Sequence, residues 1–151
     1  WGNITEFKNF NLITPNEREA RFALGDQDSH IRPLANQLYK KTNCEFLILK
    51  LGEKGVLGLR NKDENDPRRL ITLDSFCDSP TDPVGAGDAL LAYSSLSLKI
   101  TNNEIISIVL GSIAAGLECE ENGNIAVTKL KVLNKINELK KKIELKIEDK
   151  N

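Results

Sequence analysis

The sequence predicts an α/β fold in which a sheet is layered by helices. Short apolar runs of strand length, at residues 45–50 and 70–73, alternate with segments whose apolar residues recur at helical spacing. The run at 45–50 is continuous, as expected for a strand that is buried on both faces. A glycine-rich turn at 85–87 then joins a loop to an apolar helical segment. Strands that alternate with helices in this way are typical of layered α/β folds.

The first half of the chain contains two helices and most of the strands. A short strand at 11–15 leads into a helix at 16–24, which Gly25 ends, and a second helix is predicted at 29–41. The inner face of that second helix carries Ile31, Leu34, Leu38 and Tyr39. The strand at 45–50 turns at 52–55 into a return strand at 55–59, and a polar loop at 61–69 leads to the strand at 70–73.

The second half is helical. A loop at 75–83 precedes a helix at 85–99, and Thr101 or Asn102 is expected to cap the next helix. That helix has an apolar stripe formed by Ile105, Ile106, Val109, Ile113 and Leu117. Thr128 is expected to cap a last helix, on which Leu130, Leu133, Ile136 and Leu139 recur at helical spacing. Residues 1–142 are predicted to form one domain portion, and residues 143–151 a charged, frayed tail.

Composition excludes several classes of protein. The chain has 151 residues and a net charge of −1, from 21 basic and 22 acidic side chains, so it lacks the basic field that nucleic-acid binding needs. No apolar stretch approaches the roughly 20 residues of a membrane span. Three widely spaced cysteines, Cys44, Cys77 and Cys119, suit a reduced cytoplasmic protein better than a disulfide framework. The chain starts at Trp1 and has no methionine, so we expect a piece of a longer product.

The segment 82–88 has the sequence Asp-Pro-Val-Gly-Ala-Gly-Asp and contains the residues predicted to take part in catalysis. Glycines let backbone N–H groups approach an anion closely, and the following helix places its positive end there. The amides of Gly85, Ala86 and Gly87 are therefore predicted to form an anion hole, with Asp88 as the base that takes a proton from an attacking hydroxyl. The alternative is an ordinary strand-to-helix turn with Asp88 as a first-turn helix acid.

This segment resembles the signature of the ribokinase-like (PfkB) carbohydrate kinases. Residues 14–19, 49–55 and 111–124 resemble other motifs of that family in the same order, so the resemblance covers roughly residues 12–136. It implies a three-layer α/β/α ribokinase-like (Rossmann-like) sheet, of which this chain is the C-terminal, nucleotide-side portion.

The resemblance also implies roles for residues that lie before the signature. Asn16 and Glu19 would lie near the nucleotide phosphates and organise Mg²⁺, Glu19 through water; the alternative is ordinary helix capping. Lys50, Gly52 and Gly55 would contact the phosphates of ATP, and the alternative is a plain hairpin turn.

Further roles follow on the other side of the signature. Ser112, Ala115 and Gly123 would surround the adenine and ribose. Asp82 and the carbonyl of Val84 would hold a monovalent cation, K⁺, beside the anion hole. Pro83 and Val127 depart from the residues that many members have at those places, which leaves K⁺ dependence open.

The implied function is transfer of a phosphoryl group from ATP to a hydroxyl of a sugar or sugar phosphate. The amino-acid sequences of residues 84–89 and 123–127 resemble those of heptose-phosphate kinases. Two alternative functions stay open. One is a nucleoside or vitamin kinase of the same superfamily, and the other is a nucleotide-binding or assembly module without catalysis. The expected partner is a small sugar or sugar-phosphate substrate, and binding to nucleic acid or a membrane is not expected. A homodimer would form through N-terminal segments. This portion alone would be inactive.

Overall fold

The computed structural model describes residues 3–61, 63–123 and 125–148. The predicted strands are all present, as β1 (Leu12–Ile13), β2 (Phe46–Lys50), β3 (Val56–Arg60) and β4 (Leu70–Leu73). So are the predicted helices, as α1 (Glu17–Leu24), α2 (Ile31–Thr42), α3 (Ala86–Thr101), α4 (Glu104–Cys119) and α5 (Lys129–Glu148). The α/β fold class is confirmed.

The strands form one mixed sheet in the order β1-β2-β3-β4. β1 runs parallel to β2, with Leu12 opposite Phe46, whereas β3 and β4 follow as antiparallel neighbours. The parallel pair brings the carboxyl ends of β1 and β2 to the same edge of the sheet. In open α/β sheets this edge is where ligands bind.

Helices cover both faces of the sheet, which confirms the three-layer arrangement. Leu47 and Leu49 of β2 belong to a buried cluster with residues of α1 and α2, including Leu34 and Leu38. The alternate residues Phe46 and Ile48 belong to a second cluster with Leu90 of α3 and Ile108 of α4. Side chains on a strand alternate between faces, so the continuous apolar run of β2 is buried on both sides, as predicted.

Helices α3 and α4 are in very close contact through small residues. A Cβ added to Gly111 of α4 would lie 2.9 Å from the carbonyl oxygen of Leu90 and 3.1 Å from Cβ of Ser94, both in α3. Across the same interface the Ser94 hydroxyl donates to the carbonyl of Ser107 (3.2 Å), and the Ser107 hydroxyl donates to the carbonyl of Ser94 (2.8 Å).

The start and the buried face of α4 differ from the prediction. Asn103, not Thr101 or Asn102, caps the helix: its side-chain oxygen accepts from the N–H groups of Ile105 and Ile106 at 2.9 and 3.1 Å. Ile105 and Ile106 were expected to be buried but are 47% and 40% exposed. Ile113 of the predicted stripe is buried, and most of the remaining buried face is formed by Ile108 and by small residues that contact α3.

The last helix also differs from the prediction. Thr128 caps it as expected, and α5 continues to Glu148. Residues 149–151 of the predicted tail lie outside the described residues, so the frayed tail stays a prediction. Leu130 and Leu133 of the predicted apolar stripe are 67% and 45% exposed, whereas Val132 and Lys135 are buried. No helix in the described part of the chain has the length and apolar character needed to cross a membrane. The domain boundary at residue 142 stays a prediction.

We expect Gly111→Ala to lower the free energy of unfolding by about 1–3 kcal/mol, since the added methyl group must push α3 away from α4. Urea unfolding followed by circular dichroism measures this change. The control is Ile105→Ala, an exposed position on the same helix, for which a change of about 0.5 kcal/mol or less is expected. Full stability of Gly111→Ala would show that the two helices are not in close contact.

Candidate active site

The carboxyl end of β2 is joined to the turn between β1 and α1. The N–H of Lys50 donates to the carbonyl of Pro15 at 2.9 Å, and Asn16 forms an isolated parallel bridge with Lys50. These backbone contacts hold the start of α1 beside the Lys50 side chain. Two segments that are far apart in the sequence therefore meet at one edge of the sheet.

Asn16 and Glu19 form a capping box at the start of α1. The Asn16 side-chain oxygen accepts from the N–H of Glu19 at 2.7 Å, and Oε2 of Glu19 accepts from the N–H of Asn16 at 2.8 Å. The capping alternative of the sequence analysis is thus present in the structure. It engages only one of the two carboxylate oxygens of Glu19, so a capping role and a role at the cleft are compatible.

The turn at 52–55 begins directly after Leu51 and reverses the chain from β2 to β3. Gly52 and Gly55 have φ angles of 63° and 82°, a region that glycine adopts with the least strain. Gly55 also contacts the end of β4 so closely that an added Cβ would lie 2.8 Å from the backbone nitrogen of Ser75. Gly55 therefore has a packing role, whether or not it contacts phosphate.

The glycine-rich segment begins α3 with free amide groups. Gly85 is the N-cap, with φ 90° and no side-chain cap. The N–H of Ala86 has only a long bond, 3.3 Å, to the carbonyl of Pro83, and the N–H groups of Gly85 and Gly87 have no acceptor within the described ranges. First-turn amides of this kind are available to an anion. Of the three predicted amides, that of Ala86 is partly engaged.

Two neighbouring clefts open at this edge of the sheet. The first, which we call the Asp88 cleft, has a volume of about 820 Å³ and is lined by Glu19, Lys50, Gly85, Gly87 and Asp88, among others. Asp88 is exposed there, not buried in an apolar interior.

The second, which we call the Ser112 cleft, has a volume of about 740 Å³. Its lining includes these predicted site residues: Asn16, Lys50, Gly52, Gly55, Ala86, Gly87, Ser112 and Ala115. The Ser112 side chain is 6% exposed, and its hydroxyl oxygen has no hydrogen-bond partner among the described residues. A buried hydroxyl without a partner costs free energy, so its presence in a cleft wall points to a ligand.

Lys50 and Gly87 line both clefts. A Cβ placed on Gly87 would lie 3.0 Å from Nζ of Lys50, so the lysine ammonium lies directly beside the start of α3. The point where the clefts meet therefore combines a cation with free backbone amides. That combination suits a multiply charged anion such as a polyphosphate.

Three predicted site residues do not line either cleft: Asp82, Val84 and Gly123. One carboxylate oxygen of Asp82 accepts from the N–H of Val84 at 2.9 Å, a contact typical of an Asp that stabilises a turn. Val84 is 60% exposed, and Gly123 lies in a bend after α4. Asn124, the next residue of that loop, lies outside the described residues.

Several residues that line the Ser112 cleft were not predicted from the sequence. Asp74, Phe76 and Cys77, from the loop after β4, line the Ser112 cleft, as does Gly116 of α4. Gly116 follows Ser112 by four residues, so helical spacing places both on one face. That spacing was the available signal for Gly116. The loop residues gave no signal, since their place depends on how β4 pairs with β3.

The chain matches the family model described as pfkB family carbohydrate kinase over residues 6–127. Two relatives named bifunctional protein HldE are similar at the sequence level. The one from Koribacter versatilis is 26% identical over 135 residues, 87% of this chain and 26% of that protein. The one from Nitrobacter winogradskyi is 25% identical over 125 residues, 81% of this chain and 25% of that protein. The chain thus spans about a quarter of the length of these relatives.

Solved structures show the same fold. A complex of phosphofructokinase-2 from Escherichia coli with potassium superposes with a TM-score of 0.76 at 17% identity, covering 90% of this chain and 43% of that one. Ribokinase from Thermotoga maritima superposes with a TM-score of 0.71 at 22% identity, covering 84% of this chain and 42% of that one. The ribokinase-like fold is therefore confirmed over somewhat less than half of each neighbour.

We expect Lys50→Met to weaken binding of inorganic tripolyphosphate about 10- to 100-fold, because a hydrogen bond to a charged group contributes about 1.5–3 kcal/mol. Isothermal titration calorimetry measures the affinity. The control is Lys41→Met, an exposed lysine of α2, which should leave the affinity unchanged. Equal affinity of the native chain and Lys50→Met would remove Lys50 from the anion site.

Proposed function

The chain belongs to the pfkB family of carbohydrate kinases, and we propose that it forms the nucleotide-side part of an ATP-dependent sugar or sugar-phosphate kinase. The observation that carries this proposal is the meeting of the two clefts at Lys50 and Gly87. In our proposal ATP lies in the Ser112 cleft and the acceptor hydroxyl lies in the Asp88 cleft. The phosphoryl group then crosses at the point the clefts share.

Asp88 is the proposed base. Its carboxylate lines the acceptor side, where it can take the proton of the attacking hydroxyl. The free amides of Gly85 and Gly87, together with the Lys50 ammonium, would stabilise charge on the transferred group and on the leaving phosphate. Phosphoryl transfer depends mainly on positioning and on such electrostatic stabilisation. A base, backbone amides and an ammonium are therefore the types of group that the proposed reaction needs.

Glu19 is the proposed carboxylate for Mg²⁺, the metal ion that kinases of this family use with ATP. Its Oε2 is engaged in the capping box, and Oε1 has no hydrogen-bond partner in the described part of the chain. A single available carboxylate oxygen fits Mg²⁺, which usually keeps several of its waters. When bound, the ion would neutralise charge on the phosphates of ATP.

A K⁺ site at Asp82 and Val84 stays a prediction. One Asp82 oxygen is engaged by the Val84 N–H, and neither residue lines a cleft. A heptose-phosphate acceptor also stays a prediction. It is supported by the resemblance of residues 84–89 and 123–127 to heptose-phosphate kinases. A homodimer and the cytoplasmic location inferred from the cysteines stay predictions as well.

Nucleotide binding without catalysis is the second candidate function for this chain alone. Phe7, Phe10 and Leu91 line the Asp88 cleft and are 45%, 50% and 43% exposed. The acceptor side therefore lacks an apolar cover within the described ranges. Two experiments separate the two functions. Calorimetry measures binding of a non-hydrolysable ATP analogue to this chain, and turnover assays test the intact protein with a panel of sugars. An intact protein that binds nucleotide but phosphorylates no sugar would favour the second.

We expect Asp88→Asn in the intact kinase to lower kcat by roughly 10²- to 10⁴-fold, because the amide cannot accept the proton. Nucleotide affinity should stay nearly unchanged, since Asp88 lies on the acceptor side. A coupled assay of ADP release measures turnover, and calorimetry measures nucleotide binding. Asp28→Asn, at an exposed position between α1 and α2, is the control. Unchanged turnover of Asp88→Asn would remove Asp88 from the mechanism.

We expect Glu19→Gln to separate capping from metal binding, because glutamine still accepts the Asn16 N–H but carries no charge. The free energy of unfolding should change by about 0.5 kcal/mol or less. The Mg²⁺ concentration at half-maximal activity should rise about 10- to 100-fold. Glu17→Gln, the neighbouring acid in the same helical turn, should leave the Mg²⁺ dependence unchanged. An unaltered Mg²⁺ dependence of Glu19→Gln would confine Glu19 to the cap.

A further inference from the structure

The loop after β4 lies directly on the last turns of α4. A Cβ added to Gly116 would be 2.8 Å from the carbonyl carbon of Phe76 and 2.9 Å from the backbone nitrogen of Cys77. Further along the loop, the N–H groups of Thr81 and Asp82 donate to the carbonyl of Cys119 at 2.7 and 3.1 Å. The loop is thus attached to the helix at both ends of one helical turn.

Ion pairs hold the middle of the same loop. The N–H of Asp78 donates to Oε1 of Glu120 at 2.7 Å, and Nζ of Lys135 lies 2.6 Å from Asp78 Oδ2 and 3.5 Å from Glu120 Oε1. The hydrogen bond from Lys135 lowers the pKa of Asp78. Burial alone would lower the pKa of Lys135, but its hydrogen bond to Asp78 and the charge of Glu120 raise it. Both groups therefore stay charged, and their contacts link the middle of the loop to α5 and to the end of α4.

This arrangement puts two cysteines side by side. Cys77 follows the loop residue that contacts Gly116, and Cys119 lies three residues after Gly116, on the same face of α4. Burial raises the pKa of Cys119, and Cys77 raises it further through its charge and a side-chain hydrogen bond. The hydrogen bond between the two thiols brings their sulfur atoms into contact, which is the approach that disulfide formation requires.

Both thiols are accessible from the Ser112 cleft. Cys77 and Cys119 are half-buried and line that cleft, whereas Cys44 is fully buried in the core on the opposite face of the sheet. The pair therefore meets small solutes that enter the cleft, and Cys44 does not.

We propose that Cys77 and Cys119 form a reversible disulfide in the wall of the Ser112 cleft when a hydroperoxide is present. The thiolate of one cysteine attacks the peroxide oxygen, the O–O bond breaks, and a sulfenic acid and an alcohol or water form. The second thiol then attacks the sulfenic sulfur, the S–O bond breaks, and water leaves. The two sulfurs together lose two electrons, which reduce the peroxide, and a dithiol reductant restores the pair.

Both cysteines are free thiols in the structure. Burial raises the pKa of the Cys77 thiol as it does that of Cys119, so only a small thiolate fraction is available to attack the peroxide at neutral pH, and the first step is slow. Oxidation joins the loop that leads into the 82–88 segment covalently to α4. It thereby fixes one wall of the Ser112 cleft, independently of what that cleft binds.

The experiment is disulfide mapping of the native chain by mass spectrometry at several times during incubation with hydrogen peroxide. We expect a peptide linked through Cys77 and Cys119, its reversal by dithiothreitol, and unmodified Cys44. The oxidised chain should unfold about 5–10 °C higher than the reduced chain, because the bond closes a loop of about 40 residues. Cys77→Ser and Cys119→Ser should each lose both the linked peptide and the shift in Tm.

Three outcomes would overturn the proposal: two reduced cysteines, separate oxidation of each to sulfinic acid, or links only between molecules. Disulfide mapping on the native chain distinguishes these outcomes from the proposed Cys77–Cys119 bond even if a serine variant fails to fold. Because no nucleotide or sugar takes part, a negative result leaves the proposed kinase function standing. A positive result equally leaves that function to be tested by its own assays.

Discussion

The close packing of α3 against α4 is the constraint on which the candidate site depends. Gly111 allows the helix backbones to approach, and the paired hydroxyls of Ser94 and Ser107 satisfy polar groups that this approach buries. Because α4 also contacts the sheet through Ile108, the interface fixes where α3 begins relative to the end of β2. A looser helix pair would separate Gly87 from Lys50, and the two clefts would no longer meet.

Lys50 resolves an electrostatic conflict within the site. Asp88 lies in the first turn of α3, beside the amides suited to an anion, and Glu19 lines the same cleft. Two unit charges 4 Å apart interact by about 1 kcal/mol in water and about 4 kcal/mol at an effective dielectric constant of 20. Two carboxylates would thus oppose a polyphosphate noticeably. An ammonium next to Gly87 offsets part of that repulsion where the anion would bind.

Hydrophobic pattern predicted the sheet well and the helix–helix interface poorly. The run of β2 signals burial on both faces by its composition alone, and the Asn16–Glu19 spacing signals a capping box. The interface of α3 and α4 is built from Ser94, Ser107 and Gly111, which carry almost no hydrophobic signal. Periodicity therefore assigned the buried face of α4 to larger residues such as Ile105. The candidate site residues at strand ends and helix starts were named from the family resemblance. Local chain geometry accounts for the capping box and the glycine turn in which they lie, and their roles stay predictions.

The Ser112 cleft also depends on a contact that no local pattern contains. Lys135 lies in the lysine-rich helix α5, yet it is 6% exposed and contacts Asp78 and Glu120. A buried ammonium is tolerated only while its acidic partners remain, because removing one partner leaves a poorly solvated charge. Helix α5 thus holds the 74–81 loop through charge, with little apolar contact from Leu130 or Leu133. The position of this cleft wall consequently depends on a residue 57 positions from Asp78, and its role follows from the tertiary structure alone.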